Sequence, residues 1–189
     1  MIDKQIPGTV MPYTAVAGGM FSQFRPMIRA TDGLSLGQVC AITGLEISTV
    51  QNWVKRGFVA HPVKKKYYER HLARILLISA LRDCMQIDRI GELLTLVNGD
   101  TDDESDDIIS EEQLYDYLCE TVREMDGHGV APEETTRLIE RVTADYSAPD
   151  GSARRRLTLA LLVMVCAYVS GKLKQEADLY FRQITAGGV

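Results

Sequence analysis

Gln51 and Asn52 are adjacent carboxamides, with Ser48 three residues before Gln51 and Lys55 three after Asn52. At helical spacing these four side chains share one face. A carboxamide presents an acceptor and two donor hydrogens, the set that pairs bidentately with the N6 and N7 edge of adenine in a DNA major groove. Lys55 and Arg56 supply cations that can reach phosphates. A second basic group, Lys64, Lys65 and Lys66, follows within ten residues of Arg56. The chemistry these types and spacings allow is non-covalent recognition of a duplex: bases by Gln51 and Asn52 with Ser48 beside them, phosphates by Lys55, Arg56 and Lys64 to Lys66.

Such a face needs rigid elements beneath it. Ser35 and Gln38 form a capping-box pair, which predicts a helix over 36–43 ending at Gly44. A second helix is expected over 47–56, stopped by Gly57. Together they fit a helix-turn-helix. Cys40, beside Ala41, is the small residue where the helices cross. Gly44 tolerates the tight turn, Leu45 plugs it, and Val50 and Trp53 are the apolar contacts of the second helix. Residues 58–67 hold Pro62 and the three lysines and read as a β-hairpin or arm. Leu72, Ile75, Ile78 and Leu81 then mark a helix, and Ile87, Ile90, Leu93, Leu94 and Val97 another that ends at Asn98-Gly99.

The stretch LSLGQVCAITGLEISTVQNWVKRGFV, followed by KKKYYERHLARILLISALRD and IDRIGELL, resembles the MerR-type winged helix over residues 34–97. Lys65, Tyr67, Leu72, Ile75, Ile78, Leu81-Arg82, Ile87 and Ile90 fall on the family's pattern. The resemblance implies a helix-turn-helix, a two-stranded wing, a helix pair, and DNA binding in transcription control. Gln51-Asn52-Trp53 stands where that family usually shows Arg-Tyr-Tyr. After the helix pair an acidic connector and a helical tail replace the family's long antiparallel dimerisation helix. The whole arrangement, including QNWVKRG and DESDD, is similar to an uncharacterised bacterial family of unknown function.

The charge is strongly partitioned. The 189-residue chain carries a net −5, yet residues 34–99 are net +4 and residues 100–150 net −14. Overall acidity therefore does not exclude a nucleic-acid partner. The segment 100–107, DTDDESDD, reads as a connector. Asp100, Asp102, Glu104 and Asp106 alternate like the start of a calcium loop, but Ser105 replaces the glycine at its sixth position, so no metal site is expected. Competition of this segment for the basic face is a further possibility; deleting 100–107 should then tighten DNA binding at low salt. Beyond it, Ser110 with Gln113 opens a helix carrying Leu114, Tyr117, Leu118, Thr121, Val122 and Met125. Pro132 opens another with Leu138, Ile139 and Val142. The last helix, over about 153–184, is apolar nearly all round from Leu157 to Val169, which predicts a bundle centre or a subunit interface. Arg154-Arg155-Arg156 at its start reads as a turn facing the acidic block.

The N-terminal block, 1–33, is expected to hold a short helix with Phe21, Phe24, Met27 and Ile28, packed against the module that follows. Cys40, Cys84, Cys119 and Cys166 form no C-x-x-C pair and are expected to pack as small hydrophobes. His61, His71 and His128 belong to no nucleophile or metal constellation, so neither an enzyme nor a cofactor is expected, and His71 is placed on a surface. No basic-then-apolar leader is visible, and the 11-residue run 159–169 is too short to span a bilayer, so a cytoplasmic protein without membrane contact is expected.

The expected protein is mainly α. It has an extension at 1–33, a MerR-like winged helix-turn-helix at 34–99, a connector at 100–107 and a C-terminal helical bundle or dimerisation domain at 108–189. The expected partner is double-stranded DNA, bound by a homodimer on a two-fold site, with an unidentified effector or protein partner left open. Two alternatives use the same fold: a protein-interaction module that binds no DNA, and a small architectural or recombination factor.

Overall fold

The computed structural model describes residues 5–13, 18–99, 101, 106–125 and 131–186. Among the described residues eight α-helices follow one another: α1 (Arg25–Ala30), α2 (Leu36–Thr43), α3 (Ile47–Lys55), α4 (Glu69–Leu81), α5 (Ile87–Asn98), α6 (Glu111–Met125), α7 (Pro132–Val142) and α8 (Gly151–Ala186). A single 3-10 turn, Met20–Gln23, precedes α1. Among the described residues there is no extended strand, only isolated bridges.

Helix boundaries follow local chemistry. Ser35 Oγ accepts from the Gln38 backbone N–H at 3.3 Å while Gln38 Oε1 accepts from the Ser35 N–H at 2.8 Å, closing the capping box of α2. Ser110 Oγ accepts from the Gln113 N–H at 3.2 Å, but the Gln113 amide donates to the Tyr117 hydroxyl at 2.8 Å. Pro132 occupies the first turn of α7. Asp150 caps α8, accepting from the backbone N–H groups of Ser152 at 2.7 Å and Ala153 at 2.8 Å. Bonds from Ser152 and Ala153 hold its carboxyl below the usual aspartate range.

α4 is the centre of the molecule. Leu72, Ile75, Leu76, Leu77 and Ile78 are fully buried, and α4 touches α2, α5, α6 and α8. The buried apolar residues make one continuous cluster from Ile6 to Tyr168. The N-terminal block packs further afield than expected. Phe21 meets Phe24 and the edge of Tyr115 on α6, the Phe21 N–H donates to Asp116 at 2.6 Å, and Tyr115 donates to the Pro7 carbonyl at 2.7 Å. Aromatic area on α6, not only the adjacent module, is what this block covers.

Polar burial concentrates where α4 meets α6. Arg74 and Glu111, both almost wholly buried, pair at 2.9 Å. Arg74 also donates to the Phe58 carbonyl at 3.1 Å, and Arg70 lies 3.7 Å from Asp107. Burial pushes the Glu111 carboxyl up to about 7, with Arg74 and then Arg70 opposing the shift.

Four expectations change. His71 is buried rather than at a surface: its Nδ1 accepts from the Tyr68 N–H at 3.1 Å and its Nε2 lies 3.1 Å from the His61 carbonyl. With Nδ1 accepting, Nε2 carries the proton and donates to that carbonyl. Cys119 is buried and Cys40 half-buried, but Cys84 and Cys166 are exposed and do not pack. Arg154 answers to carbonyls, not acids: it donates to Thr143 O at 3.3 Å and to Tyr146 O, capping the segment after α7. The wing is shorter than a two-stranded ribbon. His128 and most of 100–107 lie outside the described residues.

Candidate nucleic-acid interface

The turn between α2 and α3 is built by three small devices. Thr43 Oγ1 donates to the Val39 carbonyl at 2.8 Å and accepts from the Leu45 N–H at 3.2 Å. Gly44 adopts φ 70°, and an added Cβ there would sit 2.4 Å from Val10 Cγ1. Left-handed backbone and lack of room both select glycine. Leu45 is buried behind the turn.

α3 is sharply two-sided. Val50, Trp53 and Val54 are buried. Ser48, Gln51, Asn52 and Lys55 are all exposed, on one face with Ile47, which is 52% exposed. The helix closes with the Phe58 N–H donating to the Trp53 carbonyl at 2.9 Å and the Gly57 N–H to the Val54 carbonyl at 3.1 Å. An open depression of about 400 Å³ borders α3, lined by Thr49, Trp53, Arg82, Asp83, Met85 and Gln86.

The basic residues divide. Lys55, Lys64 and Lys65 are exposed. Arg56 stacks over Phe58 at 4.6 Å and pairs with Asp88 at 2.8 Å. That pair is open to solvent and is worth roughly 0–1 kcal/mol, so a phosphate can displace it. Lys66 is different: its ammonium donates to the Thr31 and Gly33 carbonyls at 2.9 and 3.1 Å. It staples the arm to the loop before α2 and is corrected here from phosphate ligand to structural cation.

The presumed wing reduces to one bridge, Val63 with Lys66, closed by a Lys66 N–H to Val63 carbonyl bond of 2.9 Å. Lys64 and Lys65 form its two-residue tip at φ 49° and 64°. Two successive left-handed residues make a type I′ turn, which asparagine and glycine favour and lysine does not. A second bridge, Leu34 with Tyr67, ties the arm's far end to the start of α2 through reciprocal 2.8 Å bonds.

The geometry thus brings Ser48, Gln51, Asn52 and Lys55 together on α3, leaves Lys64 and Lys65 at the tip of the arm, and removes Lys66. Sequence reasoning missed Ile47. As the first residue of a helix it reads as core, and only the packing shows that it faces outward. Among the described residues no group of three or more His, Cys, Asp or Glu side chains is arranged to hold a metal ion.

Residues 34–118 match a family described as a domain of unknown function (DUF1836). This span covers α2 through the first half of α6 and includes every candidate residue above. The chain is also 28% identical over 162 residues to the uncharacterized protein YkrK of Bacillus subtilis (strain 168), across 77% of this chain and 70% of that one. No solved structure matches it. Residues 34–118 are thus similar to a family of unknown function, and the chain to a relative that is itself uncharacterised.

Proposed function

We propose that this chain, which carries that domain of unknown function, is a cytoplasmic DNA-binding regulator of transcription, with α3 as the recognition helix. The observation that carries the reading is the two-sided α3: an apolar face locked by Val50 and Trp53, and an exposed face of Ser48, Gln51, Asn52 and Lys55 presented by a capped, glycine-turned α2. The left-handed lysines support it. A non-glycine residue held at positive φ costs on the order of 1 kcal/mol or more, and such strain clusters at functional positions. A turn selected only for shape would not use Lys64 and Lys65. The resemblance to MerR-type winged helices agrees with this assignment, with a short arm in place of a full wing.

In this reading α3 enters the major groove, Gln51 and Asn52 bond base edges, and Ser48 assists. Lys55, Lys64, Lys65 and Arg56 neutralise phosphates. A homodimer on a two-fold site doubles the contact. Affinity for random duplex DNA across a salt series tests the proposal. Three cations plus a displaceable fourth predict a log-log slope of roughly −3 to −4 per subunit. Ile47 favours a second reading, protein contact without DNA, because an exposed apolar residue on the same face suits a protein surface as well as a thymine methyl. No binding, or binding that salt does not weaken, overturns the DNA reading and favours the second.

A further inference from the structure

α8 contains 36 residues, about 54 Å of helix, and its N-terminal half is buried against α4, α5, α6 and α7. By length and composition it could cross a bilayer, yet just under half of its most apolar window is buried inside the fold. The remainder is not randomly exposed. Leu159, Val163, Cys166 and Ser170 are exposed on the anchored half, and Leu173, Ala177, Tyr180 and Ile184 on the half beyond it. These positions are spaced 4, 3, 4, 3, 4, 3 and 4 residues apart, an unbroken a/d seam over 26 residues. A seam with a period of 3.5 matches a second helix wound beside it, not a flat lipid face, which would need a broader apolar arc. From Ala177 to Ala186 every residue is exposed, so the end of α8 projects from the body with Tyr180, Phe181 and Ile184 uncovered.

We infer that α8 pairs with α8 of a second copy of this chain as an antiparallel two-stranded coiled coil centred between Ser170 and Leu173. The orientation comes from side-chain size. In the antiparallel register Ile184 meets Leu159, Tyr180 meets Val163, Ala177 meets Cys166 and Leu173 meets Ser170. Each bulky residue thus faces a smaller or equal one. In a parallel register Tyr180 would meet Tyr180, Ser170 would meet Ser170, and Phe181 would lie against Glu176. The antiparallel pair also lays each projecting end over the exposed Leu159 and Val163 of the other copy. A strip about 39 Å long and 10–12 Å wide on each chain removes roughly 800–1,000 Å² in total, before Phe181 and Leu162 are counted; specific interfaces begin near 1,000 Å².

This deepens the dimer of the proposed function, but its test uses no DNA, so either can fail alone. Analytical ultracentrifugation of the full chain should give twice the 21.0 kDa subunit mass. Leu173→Asp, at a side chain 59% exposed, should give the single mass with an unchanged far-UV spectrum. Mild oxidation of Ala177→Cys, followed by peptide mapping, should link Cys166 to residue 177 of the other copy. In the unmodified chain Cys166 should not link to Cys166, because the register separates them by about 16 Å and a disulfide needs Cα atoms about 4.4–6.8 Å apart. A monomer at all concentrations, a dimer indifferent to Leu173→Asp, or a Cys166–Cys166 link overturns the inference. So does a monomer that floats with phosphatidylcholine vesicles.

Discussion

At the residue scale, the proposed DNA-binding role would separate base reading from phosphate binding on the candidate interface. Gln51 and Asn52 are neutral and exposed, so replacing either with alanine removes directional bonds without touching charge. Loss of one bidentate pair costs about 1–3 kcal/mol of discrimination. Selection on a random-site library should show relaxed preference at one position for each variant, while the salt slope on random DNA stays as it was. A slope that falls instead would assign these amides to the backbone. The buried Arg74–Glu111 pair carries a different prediction. The Glu111 carboxyl ionises near 7 in the fold against 4.5 unperturbed. Between those values the unfolded chain has lost its proton and the folded chain keeps it. Stability from this group is therefore full below about 4.5 and falls as pH rises toward 7. Urea midpoints taken across the interval should decline with rising pH, and Glu111→Gln should remove that decline.

At the scale of elements, the turn after α2 and the arm after α3 make opposite demands. Gly44 is left-handed and crowded by Val10, so Gly44→Ala should lower stability by about 1–3 kcal/mol in chemical denaturation. The arm tip is left-handed without glycine. Replacing Lys64 by Asn and Lys65 by Gly together should relieve strain and raise stability by about 1 kcal/mol. The same double change should weaken DNA binding and make the salt slope shallower by about 2. A stability gain with undiminished binding would mean that the lysines serve neither turn nor phosphate. Here the sequence was informative for helices and marked an arm at 58–67, but not what holds it in place. Ser35, Gln38, Gly44 and Gly57 act within one or two turns, so α2 and α3 are legible from their own residues. The arm is held by Lys66 reaching Thr31 and Gly33 and by Tyr67 bridging Leu34, contacts more than thirty residues apart that no local pattern announces.

Over the whole molecule, charge is arranged rather than merely summed. The basic module is net +4 and the segment after it net −14. Thr101 and Asp107, at either end of the connector, engage Arg74 and Arg70 on α4, not the exposed face of α3. Deleting 100–107 would therefore also strip partners from the buried Arg74 and the half-buried Arg70. Neutralising Asp102, Asp103 and Glu104 to amides is the cleaner change. If the segment competes for the basic face, this triple variant should bind DNA more tightly in low salt, and the gain should vanish as salt screens it. Equal affinity at all salt concentrations would leave the segment as a solvated link.

The amino-acid sequence by itself determined where the helices lie, the capping box of α2, the glycine turn between α2 and α3 and the polar face of α3, because these depend on neighbours within about four residues. Tertiary structure alone decided the fate of long side chains and of faces. It withdrew Lys66 into a staple, paired Arg56 with Asp88, buried His71 under His61, and turned Ile47 outward. It also divided α8, apolar nearly all round from Leu157 to Val169, into a buried side and an exposed one. A sequence records which groups a helix carries, but which of them meet solvent depends on what packs against it from distant parts of the chain.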